Sequence, residues 1–134
     1  MRRLGDFEGR WRVARRIDDW ALGRSGTFEG TVLFSPREDG LLYHEAGELQ
    51  MEGAPVMAAT RDYLWRERDD GIDVYFDDGR FFHRVGPTAA HWCDPDQYDV
   101  SYDFTLWPDW ASVWDVRGPR KNYRMESAYT RISP

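Results

Sequence analysis

Cysteine is nearly missing from this chain, which contains a single one, Cys93, among 134 residues. A lone cysteine excludes an intrachain disulfide and a zinc site built on cysteine pairs, and it favours a reducing cytoplasmic location. No apolar run approaches the roughly 20 residues that a membrane helix needs. Because the first residues turn acidic at Asp6 with no apolar stretch behind them, we expect no signal peptide.

Positive charge is also in deficit, since 24 acidic residues against 18 Lys and Arg give a net charge of −6. That balance disfavours duplex nucleic acid and anionic membrane surfaces as partners. The sequence has no Gly-rich phosphate loop, no hydrolase nucleophile elbow and no zinc-type cysteine pair. We therefore predict a small-molecule ligand, with no cofactor and no metal, and we leave a homodimer open as an alternative to a monomer.

Aromatic residues, in contrast, are abundant, at 16% of the chain with seven each of Trp, Tyr and Phe. Large flat side chains at this density suit strand surfaces, a β core and the walls of a cavity. The length fits one domain, and we find no internal repeat or linker. Residues 1–134 are therefore predicted to form a single domain.

Short extended runs alternate with Gly, Pro and Asp turns along most of the chain. Connections this short cannot hold crossover helices, so neighbouring strands should pair antiparallel in chain order. We predict an all-β, closed antiparallel up-and-down barrel of about 8–10 strands, which removes exposed sheet edges. A helical turn is expected near residues 2–8 and another is possible at 18–22. The candidate strands are 9–17, 26–35, 41–50, 56–66, 72–77, 80–85, 89–93, 97–106, 111–117 and 122–132.

The dipeptide Asp78-Gly79 marks the best-defined hairpin. With these two residues as its turn, Asp73 faces Arg84 as an ion pair on the solvent side, where Phe82 also lies. The opposite face then points inward and carries one polar side chain, His83, in an apolar row. The other members of that row are Ile72, Val74, Phe76, Phe81 and Val85.

Neighbouring strands follow from the same period of two. A tight turn at Asp70-Gly71 directs Arg61, Tyr63 and Trp65 inward, with Trp65 opposite Phe76. In the last hairpin, a four-residue loop at 118–121 places Asp115 opposite Arg124 outside. The same register directs Trp114, Met125 and Tyr129 inward.

Two registers are open at Pro108. A two-residue turn at Pro108-Asp109 would send Asp99, Ser101, Asp103 and Thr105 inward, whereas a loop that includes Trp110 sends Tyr98, Val100, Tyr102 and Phe104 inward. Unpaired buried aspartates cost several kcal/mol each, so we favour the second register.

The first strand opens with Gly9-Arg10-Trp11, which resembles the Gly-x-Trp signature of lipocalins and the wider calycin group. In those families the Trp seals the closed end of the barrel, and an Arg from the last strand lies across it. The resemblance implies the same role here for Arg131, with Arg124 as the poorer candidate. A guanidinium stacks well on an indole face, which makes the arrangement physically reasonable.

The whole chain is also similar to a bacterial family known only as a domain of unknown function. The similarity lies in Phe7-x-Gly9-x-Trp11, Asp78-Gly79-Arg80-x-Phe82-His83, Trp107-Pro108-x-Trp110 and Gly118-Pro119-Arg120-Lys121. Fatty-acid-binding proteins and nitrobindins resemble the chain more distantly. The former have Arg-x-Tyr where this chain has Tyr129-Thr130-Arg131. The latter take a haem ligand from a C-terminal His, and no His follows His91.

Two arginines, Arg15 on the face of Trp11 and Arg61, are predicted to project into the barrel. A buried guanidinium needs an anionic partner, which a bound carboxylate or phosphate would supply. An internal ion pair of Arg15 with Glu45 or Asp99, or exposure of Arg15 at the rim, is the alternative.

The leading hypothesis is binding of a small amphipathic, preferably anionic, organic ligand inside the barrel. Its candidate ligand-binding residues are Arg15, Arg61, Tyr63, Trp65, Phe76, Phe81, His83, Trp114 and Tyr129, with Phe28 as a further wall residue. One alternative is a cofactor-free enzyme of the cyclase or isomerase type, with His83 and Tyr63 as acid–base groups. Another is a partner-binding module whose interior is packed solid.

The position of His91 depends on the loop at 86–88. A three-residue loop places His91 opposite His83, whereas a two-residue loop sends the two rings to opposite faces. A facing pair with Cys93 nearby would offer metal ligands. No spacing signature supports that site, so the prediction of no metal stands.

Overall fold

A computed structural model describes residues 2–133 of the chain. It has one 3-10 turn, η1 (Leu4–Phe7), and ten strands: β1 (Gly9–Asp19), β2 (Arg24–Arg37), β3 (Gly40–Met51), β4 (Met57–Arg68), β5 (Gly71–Phe76), β6 (Phe81–Arg84), β7 (Ala89–Cys93), β8 (Asp96–Asp103), β9 (Trp110–Arg117) and β10 (Asn122–Ser133). The expected N-terminal helical turn is confirmed, whereas residues 20–23 form a turn and no helix. In the described part of the chain, no helix has the length and apolar character needed to cross a membrane.

All ten strands form one antiparallel sheet in the order β6-β5-β4-β3-β2-β1-β10-β9-β8-β7. β1 pairs with β10, so the first and last strands meet as the predicted up-and-down barrel requires. β6 and β7 are neighbours in space, but no backbone ladder joins them. The barrel is therefore nearly closed, with one gap between β6 and β7, which we call the seam.

Aromatic side chains fill one end of the barrel. Trp11 is fully buried, and its Nε1 donates a hydrogen bond to the carbonyl of Phe7 at 2.8 Å. Arg131 lies across the indole, with Cζ 4.1 Å from the ring centroid. Its guanidinium also donates to the carbonyls of Asp6 and Glu8. The stacking expected of a last-strand arginine on Trp11 is confirmed for Arg131.

The last hairpin has the predicted register. Trp114 lies opposite Met125 on the inner face, and Arg124 lies 3.5 Å from Asp115 on the outer face. The favoured face of β8 is also confirmed, because Tyr98, Val100 and Tyr102 pair with inward residues of β9. The connection between β8 and β9 is longer than expected, residues 104–109, and Trp110 is the first residue of β9.

The β4–β5 turn lies one residue earlier than predicted. Asp69 and Asp70 both have positive φ, 50° and 62°, as the two central residues of a tight hairpin turn of the I′ type do. Tyr63, not Trp65, therefore lies opposite Phe76. The register differs by two residues, so the same side chains still point inward.

Two predicted orientations on β6, those of Phe81 and Phe82, are wrong. The Asp73–Arg84 ion pair forms as expected, at 2.7 Å, but a β-bulge between it and the turn pairs Tyr75 with Phe81. Phe81 is consequently outside and 49% exposed, whereas Phe82 and His83 are both buried. The extra residue of a bulge disrupts strict alternation, which is why a period of two placed Phe81 inside.

Candidate ligand-binding site in the barrel

A small cavity lies in the middle of the barrel. Its walls come from eight strands and are formed by Arg15, Tyr43, Arg61, Tyr63, Trp65, Val74, His83, Tyr102, Trp110, Ser112, Trp114 and Tyr129. About 330 Å³ between these groups is not filled by atoms, but the centre of a water molecule fits in only about 20 Å³ of it. The central cavity is therefore polar in part, aromatic in the rest, and close to the size of a single water molecule.

Arg15 and Glu45 form a buried bidentate ion pair on one wall. The guanidinium nitrogens donate to the two carboxylate oxygens at 2.6 and 2.9 Å. Ser127 accepts from Nε of Arg15 at 2.7 Å, and Tyr43 donates to Glu45 at 2.6 Å. The internal ion pair that the sequence left open as an alternative for Arg15 is the arrangement found, with Glu45 as the partner. Because internal groups already satisfy Arg15, it has little hydrogen-bonding capacity left for a ligand.

This pairing keeps both groups ionised. Burial opposes charge on Glu45, but hydrogen bonds and charge from Arg15 outweigh it and lower the pKa of the carboxyl. Burial also opposes charge on Arg15, yet Tyr129 and Glu45 together raise its pKa. Tyr43 behaves differently, because burial raises the pKa of its hydroxyl well above the ordinary value. This part of the wall is thus an ion pair with no net charge beside the protonated hydroxyl of Tyr43.

Arg61 lies on the neighbouring strand and has a different environment. Its Cα pairs with that of Glu45 across the β3–β4 ladder, and its guanidinium lies over the Trp114 ring at 5.7 Å. The side chain is half-buried and lines the central cavity. Within residues 2–133 it makes no ion pair and no hydrogen bond. Arg61 is thus an inward-facing cation with unused donors.

His83 and Trp110 contribute the other unsatisfied groups. His83 is 2% exposed, and its Nε2 lies 2.7 Å from the hydroxyl of Tyr102. Its Nδ1 and the indole Nε1 of Trp110 are buried without a hydrogen-bond partner among the described residues. Burial, with a smaller contribution from His91, lowers the pKa of His83 to about 3, so the ring is neutral near pH 7. Burial raises the pKa of Tyr63 to about 12.

Comparison with known proteins places the chain in a family. The model of a family of unknown function, DUF6314, matches residues 7–131. The chain belongs to this family. No match was found for the DUF6314 chain among curated proteins.

The fold of the DUF6314 chain is similar to that of the S-type phycobiliprotein lyase CPES from Guillardia theta. The two structures share a TM-score of 0.65 over 98% of this chain and 91% of the lyase, at 8% sequence identity. At that identity the likeness concerns the barrel fold alone, which agrees with the up-and-down barrel predicted from the sequence.

Most of the predicted site residues of this DUF6314 barrel come together. Seven of the nine line the central cavity: Arg15, Arg61, Tyr63, Trp65, His83, Trp114 and Tyr129. Phe76 points inward but packs on Phe82 at a ring distance of 4.6 Å, outside the cavity wall. Phe81 is on the outer surface and does not reach the cavity. The ring of Phe28, the further wall residue, lies 5.1 Å from the guanidinium carbon of Arg15.

Five cavity residues were absent from the predicted set of ligand-binding residues: Tyr43, Val74, Tyr102, Trp110 and Ser112. Strand alternation was a sufficient signal for Tyr43, which is two residues from Glu45 on the same face. The favoured register of β8 predicts an inward position for Tyr102 but does not distinguish a cavity residue from a core residue. The favoured register places Trp110 in the loop after Pro108, whereas the structure has it as the first, inward-facing residue of β9.

His91 and Cys93 lie on β7, across the seam from β6. His91 packs against the ring of Phe82 at 5.5 Å, and no β6–β7 ladder exists to place it opposite His83. Among residues 2–133 no group of three or more His, Cys, Asp or Glu side chains is arranged to hold a metal ion. The histidine pair is therefore best described as part of the aromatic packing beside the seam.

Proposed function

We propose that this DUF6314 protein binds a small amphipathic organic anion inside its barrel, with Arg61 as the group that pairs with the anion. The observation that carries this proposal is the free guanidinium of Arg61 in the cavity wall, beside an Arg15 that is fully paired. A half-buried guanidinium without a carboxylate partner is unfavourable, and a bound carboxylate removes that penalty through two parallel hydrogen bonds.

The charge of the cavity wall supports an anionic ligand. Arg15 and Glu45 cancel, which leaves the charge of Arg61 uncompensated by the side chains that line the cavity. The chain as a whole carries a net charge of −6, so the positive charge of the cavity is opposite in sign to the net charge of the protein. A positive group in a wall of low dielectric attracts an anion more strongly than the same group would in water.

The rest of the wall supports an amphipathic ligand. Trp65, Trp114 and Tyr63 present aromatic faces next to Arg61, and Trp114 is in direct contact with the guanidinium. Aromatic walls with a few fixed polar groups are typical of small-molecule sites. An anionic head at Arg61 and an apolar body against the indoles would use both parts of this wall.

A ligand larger than water can bind only if the cavity enlarges. The seam is where the sheet can separate most easily. β6 and β7 carry no ladder between them, so their separation breaks no backbone hydrogen bond of the sheet. Phe82 and His91 meet across this line, and Phe82 packs on Trp114 at 5.3 Å. We propose the seam as the access route, because a shift of these rings would connect the cavity to the surface.

Binding is favoured over acid–base catalysis by the ionisation of the candidate groups. Efficient general acids and bases have pKa values near the working pH. The pKa of His83 is lowered to about 3 and that of Tyr63 is raised to about 12, so both move away from neutrality. We further propose a cytoplasmic location, since the single Cys93 has no partner for a disulfide in this chain.

The test is titration of the protein with pentanoate, followed by NMR of the Trp114 indole resonance. The proposal predicts saturable binding that Arg61→Gln weakens about tenfold or more, since a charge-assisted bidentate pair is lost. Arg66→Gln is the matched control, because Arg66 is on the same strand and covers Tyr75 on the outer face. Equal binding by wild type and Arg61→Gln, or no binding by either, would overturn the proposal.

A further inference from the structure

Two buried nitrogen atoms without partners belong to side chains of the same cavity. Nδ1 of His83 and Nε1 of Trp110 are both buried without a hydrogen bond, and both side chains line the cavity that Arg61 also lines. Almost all buried polar groups in proteins have a partner, because an unsatisfied one costs about 1–3 kcal/mol. Two such groups in one cavity wall indicate a missing hydrogen-bond partner in that cavity.

The tautomer of His83 follows from its contact with Tyr102. If the Tyr102 hydroxyl donates to Nε2, the proton of His83 is on Nδ1, and one group is left unsatisfied. If Nε2 donates instead, both the hydroxyl hydrogen of Tyr102 and the lone pair of Nδ1 lack partners. The first arrangement leaves fewer unsatisfied groups, so Nδ1 of His83 carries the hydrogen. Burial raises the pKa of Tyr102 well above its ordinary value, which keeps its hydroxyl protonated and able to donate.

Both free nitrogens are then uncharged N–H donors. The indole nitrogen of Trp110 can only donate, and His83 donates through Nδ1 in the favoured tautomer. Uncharged donors in an aromatic wall match an uncharged acceptor oxygen, such as a ketone or amide carbonyl. A second carboxylate would suit them poorly, because its desolvation would not be offset by a full positive charge.

We infer that the ligand carries a carbonyl oxygen in addition to its anionic group, and that His83 and Trp110 select for that carbonyl. This inference rests on the proposed function, in which Arg61 pairs with the anionic group. Trp114 neighbours both groups, since its ring centroid lies 5.7 Å from the Arg61 guanidinium carbon and 6.2 Å from the His83 ring centroid. The ligand class is therefore an oxo-carboxylate.

The test compares carboxylates that differ only in the carbonyl. The probes are 4-oxopentanoate against pentanoate, and 4-acetylbenzoate against 4-ethylbenzoate, titrated into the protein by NMR. The inference predicts that the oxo member of at least one pair binds about tenfold tighter, the effect of two added hydrogen bonds to neutral donors. The ¹⁵N spectrum of His83 in wild type should also show a protonated Nδ1 with no ligand present.

Trp110→Phe removes one donor and keeps an aromatic ring. It should reduce several-fold the ratio of the affinity for 4-oxopentanoate to the affinity for pentanoate, because the lost donor acts on the carbonyl. Trp107→Phe is the control, because Trp107 packs on Phe7 at the closed end, away from the cavity.

Four results would overturn the inference. Equal affinity within both pairs would show that water satisfies the two donors, and the proposed function would survive. An unprotonated Nδ1, or a preference retained in Trp110→Phe, would refute the assigned donors. No binding of any probe would overturn the proposed function together with the inference.

Discussion

The buried pair of Arg15 and Glu45 shows how an inward-facing arginine is accommodated in an aromatic core. The two side chains are 7% and 3% exposed, and each has a neutral hydroxyl as an additional partner. Such a pair adds little net stability over a well-packed apolar pair, but removal of one member leaves the other charge buried alone. The pair therefore contributes polarity to the cavity wall, and the loss of either member is destabilising.

Glu45→Gln is predicted to lower the free energy of unfolding by about 3–5 kcal/mol, because Arg15 loses its counter-charge in a buried position. Asp99→Asn is the matched control, since Asp99 pairs with Arg117 at 2.7 Å on the outer surface. That exposed pair should contribute less than about 1 kcal/mol. Urea unfolding of the two variants measures the difference, and equal losses would contradict the burial argument.

His83 gives the protein a predictable response to acid. Its pKa is lowered to about 3 in the folded state, against an ordinary value of 6.5, by burial and by His91. Between these values the unfolded chain binds a proton that the folded chain does not, so stability falls as the pH drops from about 6.5 towards 3.

Wild type should lose about 2 kcal/mol more stability between pH 6 and pH 4 than His83→Gln loses, because only wild type must protonate this ring on unfolding. The carboxylates, including Glu45, titrate in both proteins, so the difference isolates His83. Chemical unfolding at a series of pH values provides the measurement. Parallel curves for the two proteins would mean that His83 is already charged, or exposed, in the folded state.

At the level of strands, the predicted faces were correct where the strand register differed from the prediction by an even number of residues. The β4–β5 register differed by two residues, and the long loop before Trp110 changed the β8–β9 register, yet both strands kept their predicted inner faces. An even shift preserves the face of every side chain, whereas an odd one reverses it. Burial penalties on aspartate were enough to select the correct face of β8 without knowledge of the loop.

The bulge in β6 shifts the strand register by one residue, so the predicted faces of the residues next to the turn are wrong. Nothing in Phe81-Phe82-His83 distinguishes a regular strand from one that buries two successive residues. The absence of a β6–β7 ladder was equally hidden, because turn residues at 86–88 are compatible with a hairpin. Both features depend on how the sheet curves to close, which is a property of the whole barrel.

The seam should be the least protected part of the sheet. Backbone amides of β6 and β7 that face each other have no partner strand, whereas β1 and β10 pair along ten residue positions or more. Local opening is expected where few hydrogen bonds hold an element, so these amides should exchange with deuterium at least about a hundredfold faster than those of β1. Hydrogen exchange monitored by NMR tests this. Protection at the seam equal to that of the β1–β10 ladder would show that β6 and β7 pair in solution.

For the molecule as a whole, the sequence predicted the architecture better than the chemistry. Turn residues and aromatic alternation were enough for ten antiparallel strands, and Gly9-Arg10-Trp11 indicated the closed end with Arg131 across it. The pairing of Arg15 with Glu45 and the freedom of Arg61 depend on side-chain distances across β3 and β4. Patterns along one strand contain no information on those distances, so the sequence leaves open whether Arg15 pairs with Glu45 or with a ligand.

The same limit applies to the comparison with the lyase CPES, which shares the barrel at 8% identity. A barrel fold supports many functions, so the function must be argued from the site. For this chain the central claim is that the barrel holds a small organic anion at Arg61.

Native mass spectrometry of freshly and gently purified protein, beside the same sample denatured, tests that claim most directly. The account predicts a reproducible surplus over the mass of the 15.8 kDa chain that disappears on denaturation. Arg61→Gln should lose the surplus, whereas Arg66→Gln should keep it. A native mass equal to that of the bare chain, or a surplus that Arg61→Gln retains in full, would contradict the account.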